Sequence, residues 1–381
     1  MSKIRLISII IILIVSTFHA DGRDSVLYAG TSHRISAEIR PVYNLATHYF
    51  YRGNNPLGRP IGPGTAYHLK YSFSSPGTYQ GIGLSYNTFY AKDVIGSPVS
   101  LYLFQETTLA RLSERWSFGY EWNLGFSYGW KQTDVVNSRY NIYINVGIPF
   151  TWQASPSCEI QFGPEYTHFS NGDTRYPNGG ANTIGMKFGV SYIIGNDERT
   201  SIGHQLFKAD TNLAEKGFKE RLHCDIFIYG ACRAGRIYEG NRMSVINRPF
   251  ALGGISFNPL YRLNRTIHIG PSADIQTDTS AGLYGAVVDK ANDEIISFSA
   301  PDLWTQTACG LSLRGELEMP YFSINIGAGY NIIRNTSDIK RFYSTYNLKT
   351  HLNDRVYICV GYNLSSVQYT HNLKLGLGFK L

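Results

Sequence analysis

Beyond its first twenty residues, this 381-residue chain has no apolar run long enough to cross a bilayer as a helix, which takes about 20 residues. It also has no clustered basic runs with interleaved aromatics, the footprint of nucleic-acid binding, so no such partner is expected. Its cysteines (Cys158, Cys224, Cys232, Cys309, Cys359) are odd in number and scattered, with no CxxC, and its histidines form no HExxH. A structural zinc site is therefore not expected, and no cofactor is implied. Five thiols cannot all pair. In an exported protein Cys224 with Cys232 is the most natural bridge, and the simpler reading is buried or lipid-facing thiols.

The chain is rich in Tyr (28), Phe (20) and Gly (38) and poor in Met (4), with a mean hydropathy of -0.18, a balance that suits β-structure better than helix. The first twenty residues, MSKIRLISIIIILIVSTFHA, combine a basic start (Lys3, Arg5), an apolar run from Leu6 to Val15, and Ala20 before a polar stretch. This is the layout of a secretory signal peptide, and the run is short for a membrane anchor. Without Lys3 and Arg5 the remainder keeps a mild basic excess, compatible with an anionic surface such as lipopolysaccharide phosphates.

Arg115 to Trp130 (RWSFGYEWNLGFSYGW) sets the secondary structure. Trp116, Phe118, Tyr120, Trp122, Leu124, Phe126 and Tyr128 fill the even positions, while Ser, Gly, Glu and Asn fill the odd ones. A period of two over this length is a strand with one apolar and one polar face, long enough to cross a bilayer when tilted. The pattern predicts strands near 34–43, 66–74, 78–90, 98–110, 115–129, 139–152, 156–170 and 183–195. A second set falls near 220–233, 248–260, 265–275, 303–317, 319–332, 354–364 and 368–381, with one more in 284–299 or 341–350. Short connections alternate with long polar ones, as periplasmic turns alternate with extracellular loops. The last strand, HNLKLGLGFKL, keeps Leu373, Leu375, Leu377, Phe379 and Leu381 on one face.

Sheet survives in lipid only when closed, so these strands predict an all-β protein, an antiparallel transmembrane β-barrel of the outer membrane. A secreted β-sandwich is the alternative, but its outward face would be polar. The expected layout is a signal peptide over 1–20, a barrel region over 21–195, and a polar connector over 196–219. A further strand region over 220–381 completes or extends the barrel, for fourteen to sixteen strands in all.

One stretch breaks the pattern. In the strand around 156–170, Cys158, Ile160, Phe162, Pro164 and Tyr166 form the apolar face, and His168 and Ser170 continue it. In the next strand Asn182 opens the face that Ile184, Met186, Phe188, Val190 and Tyr192 continue. By parity, three polar residues from neighbouring strands share the rim of the lipid-facing surface. Same-face residues two apart lie about 7 Å apart at Cα, and a neighbouring strand about 4.8 Å away, so nucleophile, base and orienter are within mutual reach. The plain alternative is that His168, Ser170 and Asn171 are ordinary interfacial loop residues at a barrel rim.

THFSNG, followed by Pro177-Asn178-Gly179 and a polar residue opening the next strand, resembles the lipid A 3-O-deacylases, the PagL-like family of acyloxyacyl hydrolases. That resemblance implies an eight-stranded barrel, with His and Ser late on the seventh strand and the third member starting the eighth. It assigns Ser170 as nucleophile, His168 as base and Asn178 as a candidate oxyanion-hole donor. Where the family has an acidic third member, this chain has Asn182. The site also resembles outer-membrane phospholipase A, which carries THxSNG and an Asn fourteen residues after the His, the spacing of His168 and Asn182. That likeness makes Gly172 an oxyanion-hole N–H, beside Asn171. Phospholipase A binds calcium with an Arg directly after SNG; Asp173 stands here, so calcium is not implied.

The resemblances imply a serine esterase exported to the outer membrane of a Gram-negative bacterium, removing a fatty acyl chain from lipid A of lipopolysaccharide. The alternatives are a phospholipase A-like enzyme acting on phospholipid, or a porin or structural barrel without chemistry.

Overall fold

A computed structural model describes residues 32–75, 78–195, 217–239, 242–264, 266–289, 294–318, 322–366 and 369–381. The expected signal peptide and all but the last three residues of the expected connector lie outside these. Among the described residues, no helix is long and apolar enough to cross a membrane.

The first half is one closed ring. Its strands are β1 (His33–Asn44), β2 (Pro63–Ser75), β3 (Thr78–Thr88), β4 (Gly96–Arg111), β5 (Trp116–Trp130), β6 (Tyr140–Gly147), β7 (Phe150–Ser155), β8 (Cys158–Ser170) and β9 (Ala181–Ile194). Consecutive strands pair antiparallel except β6 and β7, which each pair with β5 and β8, and β9 returns to β1, so no edge is left. The alternation predicts one strand over 139–152. The structure divides it into β6 and β7 around Pro149, which has no N–H to give a ladder. Counted as one interrupted strand, β6 and β7 make the ring eight-stranded, with β8 its seventh member.

The second half forms a separate closed barrel from β10 (Leu222–Glu239), β11 (Arg242–Arg262), β12 (Ile267–Asp278), β15 (Thr307–Glu318), β16 (Phe322–Arg334), β17 (Phe342–His351), β18 (Val356–Ser366) and β19 (Tyr369–Lys380). Both candidate regions for the uncertain strand are extended, in different roles. β17 takes its place in the barrel, while β13 (Tyr284–Asp289) and β14 (Glu294–Ser299) pair only with each other, in the connection above β12. Among the described residues, no strand of one ring pairs with a strand of the other.

Each face follows the parity of the sequence. On β5, Phe126 is 60% exposed and Tyr128 is exposed, while Glu121, Asn123 and Ser127 are buried inside. Ile35, Leu69, Leu84, Phe188 and Val190 likewise face outward. The interior of the first ring holds ion pairs: Lys70 Nζ lies 2.8 Å from Glu38 and 3.0 Å from Glu121, Arg40 reaches Glu121 at 2.9 Å, and Arg34 reaches Glu106 at 2.9 Å. With lipid outside, a narrow ring places its charges inside, where each needs a partner.

The two barrels touch along their outer faces. Trp122 of β5 meets Phe322 of β16 edge to face, ring centroids 5.6 Å apart, with Leu103, Tyr120, Leu124, Leu317, Ile324 and Leu348 around them. All five cysteines are free. Cys224 and Cys232 sit eight residues apart on β10, about 27 Å of extended chain, so the bridge considered from sequence cannot form.

Candidate active site

His168 and Ser170 end β8, and Asn182 is the second residue of β9. The register pairs His168 directly with Asn182, so both point to the same face at close cross-strand distance. The connection between β8 and β9 is one of the long ones, as are those over 45–62, 89–95 and 131–139, so the three residues stand at the long-loop end of the barrel.

His168 Nδ1 lies 2.7 Å from Asn182 Oδ1. An amide oxygen only accepts, so Nδ1 carries the proton and Nε2 keeps the lone pair a general base needs. Asn182 is itself held: Tyr166 donates its O–H to the same Oδ1 at 2.7 Å, and Asn182 Nδ2 reaches Thr47 Oγ1 at 3.4 Å. Tyr166 reads from sequence as one more apolar residue of the outer face. Its parity, shared with His168, was the available signal for a partner.

Ser170 is 3% exposed. Its Oγ receives Gly172 N–H at 3.4 Å and forms a 3.2 Å hydrogen bond with Tyr362 Oη of β18, rather than one with His168. His168 and Ser170 nonetheless border one small space. A Cβ on Gly180 would stand 3.4 Å from His168 Cε1, 3.6 Å from Ser170 Cβ and only 2.6 Å from Phe169 O. Gly180 also has φ +65°, a conformation that disfavours any side chain. Tyr51 Oη fixes this turn by donating to Gly180 O at 2.9 Å.

Asn171 N–H donates to Asn178 Oδ1 at 3.0 Å, and Asn171 Nδ2 to Arg175 O at 2.9 Å. The Asn178 side chain thus ties the loop across its two ends, leaving its amide NH2 as the group that could face an oxyanion. Gly172 (φ +66°) and Asp173 (φ +65°) follow in left-handed conformation, which turns the Gly172 N–H back onto Ser170. Asp173, buried beneath the loop, is ion-paired with Arg236 of β10 at 2.5 Å. Burial pushes its carboxyl above the ordinary value, and Arg236 pulls it back.

The structure therefore brings His168 and Asn182 into contact, sets Ser170 and Gly172 beside them, and places Asn171 and Asn178 in the supporting loop. By parity all three polar residues belong at a lipid-facing rim. Ser170 is instead covered by the second barrel, whose contribution the local motif gave no means of seeing.

Family models match both halves of the chain. Residues 38–191 match "Lipid A 3-O-deacylase (PagL)", and residues 222–381 match "Acyloxyacyl hydrolase, C-terminal domain". No curated protein matches the chain. Among solved structures, it is similar to Neisserial surface protein A at 11% identity, over 42% of this chain and 96% of that one, with a TM-score of 0.31. It is also similar to the siderophore receptor PirA from Pseudomonas aeruginosa at 7% identity, over 92% and 80% of the two chains, with a TM-score of 0.28. A closed barrel with an apolar exterior and the two family matches lead to one conclusion: the chain belongs to the lipid A 3-O-deacylase family, ester hydrolases of the Gram-negative outer membrane, and its second half is an acyloxyacyl hydrolase C-terminal domain.

Proposed function

We propose that this protein removes a fatty acyl chain from lipid A by a Ser170–His168–Asn182 relay, after export directed by the segment over 1–20. The observation that carries the reading is the His168–Asn182 contact at 2.7 Å, with the Ser170 hydroxyl two residues along on the same face of β8. A protonated Nδ1 held by Asn182 leaves Nε2 to take the Ser170 proton. Oγ then attacks the ester carbonyl, and the oxyanion meets the Gly172 N–H and the Asn178 amide. His168 returns the proton to the departing lipid alcohol, and water, activated the same way, releases the fatty acid from Ser170.

An amide in the orienting position avoids a formal charge at the membrane surface, at some loss of support for the transient imidazolium. The filled, ion-paired interior of the first ring gives no support to a porin. The organisation we propose is a deacylase barrel over 21–195 joined through 196–219 to a second barrel.

Mass spectrometry of lipid A from cells with and without the protein tests this directly. The expected result is loss of one ester-linked acyl chain, abolished by Ser170→Ala while the barrel's heat-modifiable gel migration persists. Unchanged lipid A together with altered phospholipids would move the substrate to phospholipid, and undiminished release by Ser170→Ala would remove Ser170 from the chemistry.

A further inference from the structure

Three of the four residues from Ser170 to Asp173 carry contacts from the second barrel. Ser170 Oγ bonds Tyr362 Oη of β18 at 3.2 Å. Gly172 packs on Leu373 of β19, so closely that a Cβ there would stand 2.7 Å from Leu373 Cβ. Asp173 takes the Arg236 ion pair, and its carbonyl accepts Ala234 N–H at 2.9 Å, both from β10. Three strands of the second barrel thus converge on the segment that bears the nucleophile.

The burial pattern agrees. Ile142 of β6 faces outward and pairs with Ser170, yet it is buried. The outward residues Val356, Ile358, Val360 and Tyr362 of β18 are half-buried, whereas Leu375, Leu377 and Phe379 of the adjacent β19 are exposed. The seam therefore runs from the Trp122–Phe322 contact up to Ser170, and Tyr362 projects into its upper end.

A serine hydroxyl has one proton to give and two lone pairs to receive with. Gly172 N–H, which can only donate, occupies one lone pair. If the Tyr362 O–H donates to Oγ in the resting site, the Ser170 proton is not spent on Tyr362 and is free to turn to the His168 ring, which borders the same small space. Tyr362 gives up that lone pair as Oγ attacks. Tyr362 Oη has no other hydrogen-bond partner among the described residues, so the phenol proton is available for this.

We propose, on the reading that Ser170 is the esterase nucleophile, that Tyr362 of the second barrel is a positioning residue of the active site. Its O–H donates to Ser170 Oγ and thereby directs the Ser170 proton toward His168 Nε2. The Asp173–Arg236 pair fixes the seam in which this happens. The C-terminal barrel is then a structural part of the catalytic site, and neither barrel alone holds the complete arrangement.

The test uses the full-length protein in detergent micelles, with an ester substrate and, separately, a fluorophosphonate probe. The probe forms an Oγ–P bond with Ser170 and releases fluoride while His168 takes the proton. Wild type and Ser170→Ala are measured first; activity and labelling that survive in Ser170→Ala overturn the nucleophile assignment itself. Given a silent Ser170→Ala, Tyr362→Phe keeps the ring and loses the donor. Loss of one neutral hydrogen bond is expected to lower kcat and the labelling rate by about fivefold. KM should stay within about twofold.

An unchanged kcat and labelling rate in Tyr362→Phe overturns the proposal. So does a change confined to KM, because that places Tyr362 in substrate binding only. Should Tyr362→Phe fail the heat-modifiability check, Arg236→Gln loosens the seam with the phenol intact. It is expected to slow labelling of Ser170 in the same way, and an unchanged rate there also overturns the proposal.

Discussion

Asn182 Oδ1 stands 2.7 Å from His168 Nδ1, and the same oxygen receives the Tyr166 hydroxyl at 2.7 Å. One amide oxygen therefore fixes both the tautomer and the tilt of the imidazole, without a formal charge. Asn182→Ala leaves Nδ1 without a partner and the ring free to turn, and the expected loss in kcat is on the order of 100-fold or more. Asn182→Asp keeps the acceptor and is expected to stay within about tenfold of wild type. Equal activity of Asn182→Ala and wild type in fatty-acid release would dismiss the orienting role.

Tyr166 supports the site one step further out. Tyr166→Phe removes one of two hydrogen bonds to Asn182 Oδ1 and keeps the ring on the apolar face. A neutral hydrogen bond contributes about 1 kcal/mol, so a fall in kcat of about fivefold is expected. The double variant Tyr166→Phe with Asn182→Ala should be no worse than Asn182→Ala alone, because Tyr166 acts through that amide. A strictly multiplicative loss would contradict this chain of contacts.

Gly180 keeps open the space that His168 and Ser170 share. A methyl group there meets Phe169 O at 2.6 Å, and φ +65° costs an L-residue a further ~1–2 kcal/mol. Gly180→Ala should therefore lose most activity and lower thermal stability. Gly58 has a similar φ of +61° but nothing within 4 Å of a Cβ, so Gly58→Ala should cost stability only mildly and leave turnover intact. Similar activities for the two variants would show that backbone conformation, not crowding at the site, is what matters.

Inside the first ring, Glu121 answers Arg40, Lys70 and Lys187 together. Glu121→Ala leaves Arg40, Lys70 and Lys187 to share Glu38, Glu106 and Glu165, one buried negative charge short, and is expected to cost about 3–5 kcal/mol. The readout is the temperature at which the compact gel form is lost, compared with Glu114→Ala in the exposed turn between β4 and β5. Equal transition temperatures would mean that the interior charges contribute nothing to holding the ring.

Much of this molecule is written in a period of two. The even positions of β5 declare an outward apolar face, and the count of such segments puts His168 on the seventh strand of its ring and Asn182 on the eighth. The same pattern misleads at 139–152, because Pro149 preserves the alternation while breaking the ladder. It could not separate β17 from the 284–299 hairpin either, since both have strand composition and only pairing partners distinguish them. Tyr166 was hidden in its own strand because a tyrosine fits an apolar face as well as a hydrogen bond.

By itself the sequence determined the barrel class, the facing of each strand, and the candidate pair His168 and Ser170 with Asn182 opposite. These follow from local geometry, because side chains alternate and neighbouring strands lie a fixed distance apart. Only the tertiary structure decided that the strands close into two rings, and that the second ring covers Ser170 through Tyr362, 192 residues further along the chain. Closure depends on which strand ends meet, and the seam on which apolar faces find each other. An alternating pattern says that a face is apolar, not whether lipid or another barrel lies against it.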